Sequence, residues 1–129
     1  MLKNAQGLVI QCLEEDEQLQ SYFREKTGLR LTVTTNPNDI VPPAGFLSLA
    51  GGEIHRGGST SEVSFTLLLL LPYFKNTQDC LEAVDGVILT LFRIKQAIGM
   101  VTIVGVGDLI PPADDSPTWT VPLTITMTL

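Results

Sequence analysis

Residues 118–129 read TWTVPLTITMTL. Trp119, Val121, Leu123, Ile125, Met127 and Leu129 alternate with Thr118, Thr120, Pro122, Thr124, Thr126 and Thr128. A two-residue period of this kind is that of a β-strand with one apolar face. Pro122 has no N–H to give to a ladder, so the strand is expected to be an edge, or bulged, at that point. Residues 62–71 read EVSFTLLLLL. Their first half alternates, while the second half is apolar on both faces. Such a strand belongs at the centre of a sheet, under a helix on one side and something else on the other.

Shorter strands flank these two. Arg30–Thr35 (RLTVTT) places Leu31 and Val33 on one face and threonines on the other, and Gly45–Ala50 (GFLSLA) and Met100–Val106 (MVTIVGV) are apolar runs of strand length. Asn-Pro and Pro-Pro make Asn36–Pro43 a loop, and the glycine pairs of Gly51–Ser61 (GGEIHRGGSTS) make it a mobile hairpin loop. Asp108–Pro117 is an acidic, proline-rich loop.

Helices fill the rest. Leu2, Ala5, Val9, Cys12, Leu19 and Phe23 fall on one stripe of a helical pattern over residues 2–25. Asp16 falls in the middle of that stripe, where an unpaired carboxylate is costly. The pattern therefore predicts a break at residues 14–17, with Asp16 capping a second short helix over 17–25 and Gly28 ending it. After a turn at residues 72–76, a helix starts at Asn76 or Thr77. It buries Cys80, Leu81, Val84, Val87, Ile88 and Leu91 and ends between Arg93 and Gln96.

The expected fold class is α+β, one domain over residues 1–129. A single mostly antiparallel or mixed sheet of about five strands carries two helical segments on one face, in the order α-β-β-β-α-β-β. The other face gets no helix from this chain, yet Leu68 and Leu70 make it too apolar to be left wet. Bulk composition points the same way. Charged residues are 17% against 44% apolar, where soluble domains carry roughly 25% charged residues. Either the core is thick or a partner covers part of the surface. The net charge is −6, and the eight bases are scattered singly, a poor footprint for specific nucleic-acid binding. No stretch has the length and apolarity of a membrane span, and the N-terminus lacks a signal-peptide pattern, so a soluble cytoplasmic protein is expected.

Chemistry is harder to find. Cys12 and Cys80 have neither CxxC spacing nor a histidine cluster; free buried thiols are the leading reading and a disulfide between them the other. The single histidine, His55, lies beside Glu53 and Arg56 in the glycine-flanked loop, a poor place to hold catalytic geometry. Neither glycine pair shows a phosphate-loop pattern. Gly105-Val106-Gly107-Asp108 resembles a motif of intramembrane aspartyl proteases but occurs without a membrane span, and it reads as a strand end. Asp114-Asp115 is either a solvated acidic loop or a weak cation site. No hydroxyl or thiol has an identifiable base. The expectation is a non-enzyme with no cofactor and no metal.

The run of elements resembles small phage tail proteins, the lambda-type tail terminator and related minor tail or tail-completion proteins. The matching features begin with the N-terminal amphipathic helix, the prolines leading into a strand (Asn36-Pro37, Pro42-Pro43, Phe46) and the loop over 51–61. They continue with the apolar strand ending at Leu71, the helix around Ala83-Val84-Asp85-Gly86-Val87-Ile88 and the terminal Trp119 to Leu123 strand. The resemblance spans nearly the whole chain and is one of pattern and size, without a diagnostic motif. It implies a homo-oligomeric ring, commonly a hexamer, at the head-proximal end of a virion tail and assembled in the host bacterial cytoplasm. Such a ring ends tail-tube polymerisation and presents a surface to head-completion proteins. An acidic lumen would let DNA pass without being held. The loops are then natural contacts to the neighbouring ring, with Glu53, Ile54, His55, Arg56, Asp114 and Asp115 as candidate partner-contact residues; a plain hairpin tip is the competing reading of 53–56. From a different class, a small ligand-binding or regulatory module would use the uncovered sheet face as an apolar pocket.

Overall fold

The computed structural model describes residues 1–57, 60–96, 99–114 and 117–129. In chain order the elements are α1 (Leu2–Glu15), α2 (Glu17–Thr27), β1 (Thr32–Thr34), a 3-10 turn (Pro37–Asp39), β2 (Ala44–Glu53), β3 (Glu62–Pro72), α3 (Thr77–Phe92), β4 (Lys95–Gln96), β5 (Gly99–Val106) and β6 (Thr118–Thr128). The strands form one sheet in the order β1-β2-β3-β6-β5-β4. Among the described residues β1–β2 is the one parallel pair. The fold is α+β as expected, with the two-residue β4 as an extra edge.

The helix break lies where the carboxylate in the apolar stripe required it. Asp16 ends α1 and caps α2, its Oδ1 accepting from Leu19 N at 2.8 Å. Its Oδ2 lies 3.2 Å from Arg93 Nη1, so the charge is paired rather than buried alone. Gly28 ends α2 at φ 76°, its N–H donating to Arg24 O. In α3, Asn76 Oδ1 accepts from Asp79 N at 2.9 Å. The α3 stripe differs from expectation at two residues: Cys80, Val84, Val87 and Leu91 are buried with Ala83 and Thr90, but Leu81 is exposed and Ile88 only half-buried.

All three helices pack on one face of the sheet. Val63, Phe65, Leu67, Leu69 and Leu71 of β3 point into that core with Val121, Leu123, Ile125 and Met127 of β6 and with Leu47. Burial of each such side chain contributes about 1.5–3 kcal/mol. At one end Trp119 Nε1 donates to Phe74 O at 2.7 Å, and Phe74 meets the rings of Tyr22 and Phe23.

The terminal strand is not an edge. β6 lies between β3 and β5, and it runs in unbroken register with β3 from Thr128 opposite Glu62 to Thr118 opposite Pro72. A residue in an extended strand turns its N–H and C=O toward the same neighbour. Pro122 O accepts from Gly107 N at 2.8 Å, so the missing donor faces the β5 side, just past the end of that strand. The chain bows out there and rejoins β6 at Ile110, which exchanges two backbone hydrogen bonds with Thr120.

The hairpin loop is shorter than expected. β2 continues through Gly51 and Gly52 to Glu53, with a register shift between Leu49 and Gly51. Gly52 (φ 158°) passes so close to the Glu62–Val63 backbone that a Cβ would lie 2.8 Å from Val63 Cα. Glycine thus extends the strand here instead of ending it.

Candidate functional site

Three surfaces present side chains that the core does not use. The first is the sheet face opposite the helices. Cross-strand register places Ala44 beside Leu70, Phe46 beside Leu68, and Leu68 beside Pro122. Phe46, Leu68, Leu70 and Pro122 are half-buried by their neighbours alone. This is the apolar patch expected around Leu68 and Leu70. Hydroxyls surround it: Thr66, Thr120, Thr124, and the Ser64–Thr126 pair joined at 3.1 Å.

The second surface is the tip of the β2–β3 hairpin. Glu53 pairs with Glu62 in the ladder, and His55 Nε2 lies 3.5 Å from Glu53 Oε2, both side chains exposed. Ser61 ties the tip down. Its Oγ accepts from His55 N at 2.9 Å and its carbonyl accepts from Leu129 N at 2.9 Å. Ile54 is half exposed and lines a groove of about 240 Å³ with Leu2, Leu49, Gly51, Gly52 and Val63. Arg56 is exposed. Leu2 was expected in the buried stripe of α1 and is instead exposed, and Leu49 was not singled out from the sequence. Leu49 follows Leu47 on the same face, yet Leu47 is buried and Leu49 about half exposed.

Asp114 does not join this group. It is exposed, in the loop leading to Thr118. Thr118 lies opposite Pro72, whereas Glu53 lies opposite Glu62, roughly 33 Å away along the strand. Asp115 falls outside the described residues.

The third surface is an open groove of about 320 Å³ between α2 and α3. Leu19, Tyr22, Gly86 and Leu89 line it with Asp16, Glu82, Asp85 and Arg93. Tyr22 Oη donates to Asp79 O at 3.3 Å; burial, then the nearby Glu82 and Asp79 carboxylates, push its pKa up to about 12.

Both thiols are held in the neutral form. Both cysteines are free. Burial, with Asp79 adding to it, pushes the Cys80 thiol up to about 11. Burial and Asp16 also raise the Cys12 thiol, which donates to Thr90 O at 3.4 Å. A neutral thiol is a poor nucleophile. Among the described residues, no group of three or more His, Cys, Asp or Glu converges on a point where a metal ion could sit. Nor is any helix long and apolar enough to cross a membrane.

Neither a family model nor a curated protein matches this sequence. The fold is similar to that of a chain in the solved structure "Virion of native gene transfer agent (GTA) particle", with a TM-score of 0.58. That likeness covers 95% of this chain and 92% of the other at 12% sequence identity, and it is therefore a likeness of fold.

Proposed function

We propose that this chain is a structural protein of a phage or phage-like particle, and within it a tail terminator. Copies form a ring, a hexamer by resemblance, at the end of the tail tube. The ring ends tube polymerisation and joins the tail to head-completion proteins, with DNA free to pass through. It acts by shape, without catalysis. The carrying observation is the near end-to-end fold likeness to a chain of a virion particle, 95% of one and 92% of the other. The partly apolar uncovered sheet face supports it, because a subunit of a larger assembly has partners for such surface. In this reading Glu53, Ile54, His55 and Arg56 at one end of the sheet meet one neighbour. Asp114 meets another at the opposite end.

The test is deletion of the gene from a particle-producing strain, followed by electron microscopy. The expected result is tail tubes of uncontrolled length without heads, restored to normal by the gene in trans. Normal-length tails joined to heads would overturn the terminator role. Gold-labelled protein should lie at one tube end; label along the whole tube would make it a tube subunit instead.

A further inference from the structure

β2 and β5 lie on opposite sides of the β3–β6 pair, and each has a long free margin. β1 pairs with β2 only at Ala44, Gly45 and Phe46. β4 pairs with β5 only at Gly99 and Met100. Among the described residues no strand lies on the outer side of Leu47–Glu53 or of Val101–Val106. Open edges are usually blunted by charge or proline, because their unpaired N–H and C=O groups recruit other strands. Here both are bare. Residues 47–52 read LSLAGG and residues 99–107 read GMVTIVGVG, without one charged side chain in a chain of net charge −6. Leu49, Met100, Ile103 and Val106 are each about half exposed.

The two margins also fit each other. Leu47–Glu53 lie opposite Leu67–Glu62 of β3. Val101–Val106 lie opposite Met127–Leu123 of β6, which in turn face Val63–Leu67 of β3. The free margins are therefore level. Three successive antiparallel pairings make β2 and β5 run in opposite directions. A second copy turned about an axis along the strands brings its β2 beside the first copy's β5, level, antiparallel, and with no acid facing an acid along residues 47–52 and 99–107.

We propose that copies of this chain join head to tail through these margins, β5 of one pairing with β2 of the next. The sheets then continue across the contact. Such a heterologous contact uses both open edges of every subunit and closes into a ring when the rotation per subunit divides the circle. A two-fold β5–β5 pairing would leave every β2 margin bare. The inference rests on the ring reading above and names the surface that builds the ring.

Val106→Pro tests it. Gly107 N faces β6, so by strand alternation Val106 N–H faces outward, and proline there removes an outward donor while sparing the β6 ladder. Light scattering over a concentration series should show the wild-type chain assembling beyond a dimer. The variant should need a concentration at least about tenfold higher. Ile103→Lys, on the same margin, should act alike, and a thermal melt checks that each variant folds. Oxidative cross-linking gives the geometry. Leu49 and Val104 share the level and face of Phe65 and Ile125. Leu49→Cys chains mixed with Val104→Cys chains should form a mixed disulfide that neither forms alone. A Val104→Cys homodimer without mixed product would overturn the head-to-tail contact. So would a wild-type chain that stays monomeric at every concentration. Rings that survive both Val106→Pro and Ile103→Lys would overturn the edge contact and leave the ring standing. The tube-length phenotype bears on the terminator role alone.

Discussion

Gln20 holds the backbone of Leu31 by both its donor and its acceptor. Its Nε2 donates to Leu31 O at 3.0 Å and its Oε1 accepts from Leu31 N at 2.9 Å. The amide thus acts as a one-residue strand partner for the segment leading from α2 into β1. The same Nε2 donates to Leu13 O at 3.0 Å, so a buried side chain in α2 also holds the last turn of α1. Gln20→Leu keeps the volume but strands a buried N–H and two carbonyls, each costing about 1–3 kcal/mol when unpaired. The expected loss is about 3 kcal/mol by urea denaturation; a loss under about 1 kcal/mol would mean that water replaces the amide.

Leu69 is fully buried in the middle of β3, between Gly45 and Val121. Leu69→Ala is expected to cost about 2–5 kcal/mol, through lost burial and the cavity it leaves. His55→Ala, at an exposed tip, should stay within about 0.5 kcal/mol. Chemical denaturation of both variants side by side distinguishes core from surface. A large effect at His55 would show that its contact with Glu53 fixes the hairpin.

Two glycines should respond in opposite directions. At Gly52 a Cβ meets the Glu62–Val63 backbone, which cannot move without breaking the hairpin, so Gly52→Ala should cost about 1–3 kcal/mol. Gly7 lies in α1 with nothing within 4 Å of where a Cβ would sit. Gly7→Ala should stabilise by about 0.5–1 kcal/mol through helix propensity. Thermal melts read both.

The thiol of Cys80 gives an alkaline limit. Its folded pKa of about 11 lies above the 9.0 of a free thiol. The unfolded chain therefore ionises first, and the stabilising contribution, complete below pH 9, is lost as pH rises toward 11. Urea midpoints measured from pH 8 to 11 should fall across that window, and Cys80→Ala should flatten the fall. At pH 8 iodoacetamide should modify Cys80 far more slowly in the native protein than in urea.

Local chemistry was legible where one residue forced the outcome. The carboxylate of Asp16 inside an apolar stripe required the break between α1 and α2, and the alternation from Trp119 to Leu129 required β6. Long-range partners were not legible. Pro122 argued for an edge or a bulge, because nothing local says that β5 ends just where the donor is missing. Gly51 and Gly52 argued for a loop, because the close approach to Glu62 that needs glycine depends on a strand ten residues further on. The parallel pairing of β1 with β2 and the two-residue β4 leave no periodic trace. Of the candidate contact residues, Glu53 to Arg56 were legible as a neighbourhood, while Asp114 lies at the far end of the sheet.

The face opposite the helices, from Ser64 to Leu70 and across to Thr120 and Thr126, offers methyls and hydroxyls but no ionisable group. Whatever docks on that stretch meets dipoles and hydrocarbon, while the charges on the same face, Glu53 and Glu62, stand together at its hairpin end. Contacts made on that stretch should therefore respond less to added salt than contacts made at the Glu53–Glu62 end.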